Sequence, residues 1–212
     1  NILWLNAATT ITEDMPNANK ILAIYGVNAF NSGIIRETDS EHMVSGSPDL
    51  IMPEVQYSTI TKDLYNSMLP IFVNATKINI DTDKLEDLNV EKTDLLSTSQ
   101  NAYFRTDLSM QTDTPAEGEE TGSFIVGAEL DKTVSAANEE TGESAVISKL
   151  VIYGENVFIS DYQLIQNSQY SAIMLGGNKD LVLNSIAYLV DREDDITVRK
   201  STGTVTYTAT EQ

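Results

Sequence analysis

Apolar runs of strand length alternate with two stretches of helical spacing along this 212-residue chain. Residues 149–160 form the clearest strand pattern, with Gly154 inside it. Residues 178–190 begin at a capping residue, Asn178, and carry a mostly apolar stripe. Residues 15–25 repeat the helical spacing and end at Gly26. Strands that alternate with helices favour a layered α/β domain, with a mixed sheet and flanking helices, over a β-sandwich.

The remaining pattern completes one α/β domain over residues 1–200, with 201–212 as a tail or linker toward a membrane helix outside this chain. We expect residues 59–66 to form one or two helical turns and residues 40–49 to form a loop. Pro53 marks an edge or irregular strand. Strands are predicted at 2–6, 33–38, 50–56, 69–80, 90–96, 124–130 and 196–199. No apolar stripe is left over for dimerisation, because every stripe is needed for the core.

Acidic residues outnumber basic ones by 32 to 13, a formal charge of −19. Nucleic acid is excluded as a partner, because phosphate binding needs many Lys and Arg. An anionic lipid surface is disfavoured for the same reason. Residues 111–146 hold nine acids and one base, so this segment carries −8. We therefore expect an acidic excursion at 111–146, built as a long hairpin.

Cysteine is absent, which excludes disulfides, thiolate metal sites and cysteine nucleophiles. The single histidine, His42, stands beside Asp39 and Glu41, but no G-x-S-x-G turn supplies a nucleophile for a triad. The acids at 81–87 lack the glycine of a calcium loop. No nucleotide-binding glycine motif is present. We therefore predict no catalytic residue, no metal and no cofactor.

Polar residues follow the strand at 90–96, interrupt the apolar pattern of the strand at 149–160 and open the last helix. In open α/β sheets, ligands bind at the carboxyl ends of the strands. These residues could form a cleft for a sugar, a peptide or an anion. Alternatively they satisfy turns and helix caps, a common role of Ser, Thr and Asn. The candidate ligand-binding residues are Ser97, Ser99, Asn101, Gly154, Asn156, Asn178 and Asp180.

Five motifs, taken in order, resemble the auxiliary component of gliding-motility-type ABC transporters, the GldG-like family. The resemblance covers about residues 25–199, and its last motif is the most specific. The motifs are Tyr25-Gly26-Val27, Ile60-Thr61-Lys62-Asp63-Leu64, Leu95-Leu96-Ser97-Thr98-Ser99, the run from Val151 to Phe158, and the run from Gly177 to Asn184 with Tyr188-Leu189.

The resemblance implies a bacterial domain on the extracytoplasmic face of the cell membrane, anchored by helices outside this chain. It implies an α/β core similar to class I glutamine amidotransferase-like and flavodoxin-like folds, truncated at the start relative to the family, which leaves the strand order open. An ABC permease and an ATPase are the implied partners. The implied function is a non-catalytic accessory role in transport, through protein–protein contacts or substrate presentation. The alternative is a small-ligand receptor domain.

Overall fold

The computed structural model describes residues 1–8, 15–28, 32–65, 68–110, 112–163 and 170–192, and every structural statement below concerns these residues. The helices are α1 (Pro16–Ala23), α2 (Leu85–Leu88) and α3 (Asn178–Leu189). The strands are β1 (Ile2–Leu5), β2 (Ile34–Arg36), β3 (Met43–Val44), β4 (Ser47–Ile51), β5 (Glu54–Val55), β6 (Phe72–Val73), β7 (Val90–Ser97), β8 (Tyr103–Arg105), β9 (Glu120–Thr121), β10 (Ile125–Ser135) and β11 (Val146–Tyr153). Short 3₁₀ turns lie at Ser40–His42, Thr82–Lys84, Val157–Ile159 and Ala172–Met174.

The main sheet has five strands in the order β1-β11-β10-β7-β5. β1 pairs with β11 in parallel, Ile2 opposite Leu150, and the other neighbours are antiparallel. The sheet is therefore mixed, as predicted. Its central strand β10 comes from the acidic segment 111–146, so this part of the segment is built into the sheet.

Alternating side chains of the main sheet divide between two cores, one on each face. On β11, Leu150 and Ile152 enter the core beneath α1, whereas Val151 and Tyr153 enter the core beneath α3. Helices on both faces of one sheet confirm the predicted layered α/β architecture.

α1 and α3 confirm the two predicted helices. Pro16 is the first residue of α1, where its missing N–H costs no hydrogen bond. Gly26 follows at φ +76°, the left-handed conformation that ends many helices. Asp14, which precedes this helix in the sequence, lies outside the described residues, as does the predicted strand 196–199.

Two three-stranded sheets flank the main sheet, in the orders β2-β8-β9 and β3-β4-β6. The prediction of a loop at 40–49 is wrong, because this segment contains β3 and most of β4. Ser45 and Gly46 both have positive φ and connect the two strands by a two-residue turn.

Two strand predictions were too long. Within 69–80 only β6 forms a ladder, because successive N–H groups bond to different segments: Asn74 to Asp49, Thr76 to Gly154 and Ile78 to Ile125. After β11 the chain does not continue as a strand but forms the 3₁₀ turn Val157–Ile159.

Candidate functional site

Two of the three groups of predicted ligand residues lie where neighbouring strands of the main sheet end. β7 and β11 both run antiparallel to β10, so both end at this edge, and β1 ends beside β11. Ser97 closes β7 and Gly154 follows β11. The topology therefore brings the predicted residues of 97–101 and of 154–156 to the same end of the sheet.

Ser99 and Asn101 belong to a network around a buried carboxylate that sequence reasoning missed. Glu37 is 1% exposed, and its Oε1 accepts the Ser99 hydroxyl at 2.8 Å, while its Oε2 accepts the Ser99 N–H at 3.2 Å. The N–H groups of Thr38 and Asp39 also donate to Oε1, at 2.9 and 3.0 Å. Asn101 donates its own N–H to the Ser99 hydroxyl. This carboxylate thus joins β2 to the loop after β7.

Gly154 and Asn156 flank a second buried carboxylate, Glu155, which is 2% exposed. It accepts the N–H groups of Val157 at 2.8 Å and Phe158 at 2.7 Å, which starts the 3₁₀ turn. Burial raises the pKa of Glu155 to about 7, although these backbone donors act in the opposite direction. Gly154 packs so closely on Thr76 that a Cβ would overlap its carbonyl oxygen. Asn156 is exposed.

Asn178 does not cap α3, which corrects the expectation from sequence. Gly177 takes the N-cap position, and the Asn178 side chain is fully buried. Its Oδ1 accepts the Ile71 N–H at 2.8 Å, and its Nδ2 donates to the carbonyls of Ile71 at 2.9 Å and Ala172 at 2.8 Å. Asp180 lies in the first turn of α3, where its negative charge interacts favourably with the positive end of the helix dipole.

The hydrogen bonds of the three predicted groups therefore lead to three different segments. Ser99 is tied to Glu37, Gly154 to Thr76, and Asn178 to Ile71. These bonds fit the alternative in which such residues satisfy turns and connections. A ligand-binding role for them stays a prediction.

A groove of about 560 Å³ lies beside the loop that carries Lys77. The Lys77 ammonium lies 4.6 Å from the centroid of Phe104 and 5.7 Å from that of Phe124, and it pairs with Glu120. The lining includes Phe104, Met110, Asp107, Glu117, Glu119 and Glu120. Sequence reasoning missed this groove, since residues distant along the chain form it.

Two buried arginines bind the loop from Thr112 to Glu119, the end of which lines this groove. Arg105 is 1% exposed and binds both Glu119 carboxylate oxygens, at 2.9 and 3.1 Å. These bonds lower the pKa of Glu119. Arg36 pairs with Asp49 at 2.9 Å and with Asp113 at 2.8 Å. Both guanidinium groups also donate to the Thr112 carbonyl, so the loop from Thr112 to Glu119 is fastened at several points.

The His42 side chain contacts the segment that follows β4. Its Nδ1 lies 3.0 Å from the Met52 carbonyl, and its Nε2 lies 3.7 Å from Glu54. Within the described ranges, no group of three or more His, Asp or Glu side chains is placed to hold a metal ion. In the same part of the chain, no helix has the length and apolar content needed to cross a bilayer.

No family model matches this chain, and no curated protein matches it. Among solved structures, a chain described as "mmIFT52 N-terminal domain" is similar, with 14% sequence identity and a TM-score of 0.44. The match covers 82% of this chain and 57% of that chain.

Proposed function

We propose that this chain is a non-catalytic accessory domain of an ABC transport system, and that it acts through protein–protein contacts or substrate presentation. The observation that carries the non-catalytic part is the use of its buried polar groups. The hydrogen bonds of these groups go to backbone atoms or to another group of the set, which comprises Glu37, Ser99, Glu155 and Asn178. A catalytic group must instead present an atom to a substrate.

The transport part of the proposal rests on the ordered motifs. Two of them occupy continuous structural units: 151–158 forms the end of β11 and its capped turn, and 177–184 forms the first half of α3. We extend the proposal to a flavodoxin-like or amidotransferase-like core, an extracytoplasmic location in a bacterium, and an ABC permease and ATPase as partners.

Affinity purification from membranes tests this proposal. The protein, encoded by its complete reading frame and carrying an epitope tag, is extracted in mild detergent, and the eluted proteins are identified by mass spectrometry. We expect a permease and an ATPase to elute in stable ratio to the tagged protein. A Gly154→Val variant is the matched control, because the Thr76 carbonyl leaves no room for its side chain and the domain should misfold. Elution without either subunit contradicts the proposal.

A small-ligand receptor is the second candidate, favoured by the groove beside Lys77. Its volume of about 560 Å³ falls within the roughly 300–1,000 Å³ of ordinary ligand sites. A panel of sugars, peptides and anions would be screened by thermal unfolding, since ligand at 100 times its Kd adds about 2.7 kcal/mol to stability.

Two variants locate any such site. Lys77→Met should remove the ligand-induced rise in unfolding temperature if the ligand occupies the groove. Asn156→Ala should remove it if the ligand binds where β7 and β11 end. No shift with any compound would argue against the receptor function.

A further inference from the structure

Among the residues that the structure describes, β1 has a neighbouring strand on one side only. It stands first in the order of the main sheet and pairs with β11. The Asn6 N–H bonds to the Tyr153 carbonyl, and the backbone groups of alternate residues in a parallel pair point to the same side. The N–H and C=O groups of Leu3 and Leu5 therefore point away from β11. Such a row of backbone groups is a template for a further strand.

The two edges of the main sheet differ in charge. At the opposite edge, β5 covers only the last two residues of β7, and the uncovered part of β7 carries Glu91, Lys92 and Asp94. Charged side chains on an edge discourage the addition of another strand. β1 has the sequence Ile-Leu-Trp-Leu, without any charge, and its side chains pack against both cores. The β1 edge is therefore suited to receive a strand, whereas the β7 edge is suited to repel one.

The end of α3 lies beside the start of β1. The Asn1 side-chain amide donates to the Leu189 carbonyl at 2.6 Å. The Lys149 ammonium donates to the Tyr188 carbonyl at 3.1 Å and pairs with Asp191 at 2.6 Å. These contacts hold the last turn of α3 at the end of the sheet where β1 and β11 both begin.

The helix closes at this point and the chain turns away from its axis. Asp191 has φ +55°, and the Arg192 N–H bonds back to the Ala187 carbonyl at 2.8 Å, as at many helix ends. A strand entered from here runs in the direction of β1 and β11, because it starts where they start. A crossover through a helix is the usual connection between parallel strands. Both sides of β11 are occupied, by β1 and β10, so the free place nearest to α3 is the outer edge of β1.

We propose that residues 196–199 occupy the outer edge of β1 as a sixth strand of the main sheet, parallel to β1. These residues, for which the sequence predicts a strand, lie outside the described part of the chain. Their sequence is Ile-Thr-Val-Arg, and β-branched residues are enriched in strands. The connection 190–195 also falls within the roughly 2–6 residues that usually join a helix to the next strand of such a sheet.

The proposed strand has a consequence for the path of the chain. It completes a strand–helix–strand unit of β11, α3 and 196–199, with β1 between the two strands. Because it runs parallel to β1, it ends at the same end of the sheet as β1, β7 and β11. The chain after residue 199 therefore leaves the sheet beside the candidate residues of 97–101 and 154–156.

Amide hydrogen exchange of the full chain, followed residue by residue by NMR, tests the proposal. The outward amides are those of Leu3 and Leu5, and the inward amides, which face β11, are those of Trp4 and Asn6. We expect the outward amides to exchange at least about tenfold more slowly than the same amides in an unfolded chain, as the inward ones do. Outward amides that exchange at the unfolded rate, beside protected inward amides, overturn the proposal.

A proline pair identifies the segment that protects the outward amides. Thr197→Pro/Val198→Pro removes a ladder donor whichever of the two N–H groups faces β1. The outward amides should then exchange at least about tenfold faster than in the wild type, while the inward amides keep their protection and so show that the domain remains folded. Thr206→Pro/Tyr207→Pro is the matched control, within the predicted tail 201–212. Unchanged outward amides in the 197/198 variant, or an equal loss in the control, would assign the edge to another segment and overturn the proposal.

The lack of native cysteine permits a test of the strand direction. In a parallel pair, position 196 lies near the start of β1, so Asn1→Cys/Ile196→Cys should form a disulfide on mild oxidation. Asn1→Cys/Arg199→Cys should not, because three residues add about 10 Å along a strand, beyond the roughly 7 Å that a disulfide spans between Cα atoms. A labelling count of free thiols measures both. Cross-linking that favours the Arg199→Cys pair contradicts the parallel orientation.

Discussion

The two faces of the main sheet are covered in different ways. Beneath α3, three aromatic rings pack against one another in edge-to-face or tilted pairs, those of Phe72, Tyr153 and Phe158. Beneath α1, the core is mainly aliphatic, and Leu22 is the buried residue among the eight of that helix. α3 is also hydrogen-bonded into place by buried polar side chains, whereas α1 depends on packing.

This difference indicates which of the two helical layers is held more rigidly against the sheet. α3 is held in position by hydrogen bonds in addition to apolar burial. A buried polar group tolerates few alternative partners, so these bonds allow the helix little movement. α1 can shift with less penalty, since apolar contacts are not directional. We therefore expect the α3 side to unfold with the whole domain and the α1 side to open separately.

The largest effect is expected for Phe72→Ala. Phe72 is fully buried, and its ring centroid lies 4.8 Å from that of Phe158. The resulting cavity should reduce the free energy of unfolding by about 3–5 kcal/mol, measured by urea denaturation. Tyr162→Ala is the control, because Tyr162 is exposed and its loss should cost little. A loss below about 1 kcal/mol for Phe72→Ala would remove the contrast between the faces.

A pH-dependent effect is expected from Glu155, which caps the turn that carries Phe158. Its pKa of about 7 in the folded protein exceeds the ordinary 4.5, so the folded state binds the extra proton between these pH values. Stability should therefore fall by about 2–3 kcal/mol as pH rises from about 5 to 8. Glu155→Gln should lack this part of the pH dependence, which urea denaturation at both pH values measures. Parallel pH profiles for the variant and the wild type would contradict the assignment.

Leu22→Ala should produce a smaller and more local effect. We expect a loss of about 2–3 kcal/mol, with faster hydrogen exchange concentrated in α1. Ile21→Ala, on the exposed side of the same helix, provides the control. Uniformly faster exchange across β7, β10 and β11 would instead show that both faces unfold together.

Tyr188→Phe is expected to have the smallest effect. The Tyr188 hydroxyl donates to Asp131 at 2.5 Å and ties the end of α3 to β10. Burial raises the pKa of both groups, which keeps the phenol protonated as the donor. Loss of this bond should cost about 1 kcal/mol in thermal or urea unfolding. The control, Tyr57→Phe, removes an exposed hydroxyl, and an equal loss there would show that the Asp131 contact contributes nothing.

Sequence patterns predicted the elements that bury a regular face. β1, β7, α1 and α3 were expected because their apolar residues recur at a strand or helix period. The hairpin of β3 and β4 was missed, although Ser45-Gly46 is a two-residue turn of the kind that accepts positive φ. Segment 69–80 could not be predicted, because its backbone partners come from distant parts of the chain.

The candidate site was predictable only in part. Sheet rules predicted that the residues after the strand at 90–96 lie at the carboxyl ends of strands. Gly154 was instead placed inside the predicted strand 149–160, and only the structure shows that it follows β11. Composition gave no indication that Glu37 and Glu155 are buried, since an acidic chain has many carboxylates and the buried ones depend on tertiary contacts. The burial of Asn184 and Ser185 in α3, beside the exposed Leu183 and Ile186, was hidden for a related reason. Its apolar residues are numerous enough to suggest a core helix, and only the structure separates its two faces.

The parallel pairing of β1 with β11 has a consequence for the time course of synthesis. Asn1 and Lys149, bonded beside this pair, are 148 residues apart. At about 5–20 residues per second, a ribosome needs roughly 7–30 s to make β11 after β1. During that interval β1, which includes Trp4, lacks the strand it pairs with in the folded protein and is open to pairing with a wrong strand. The synthesis of β11 therefore decides when β1 can join the main sheet.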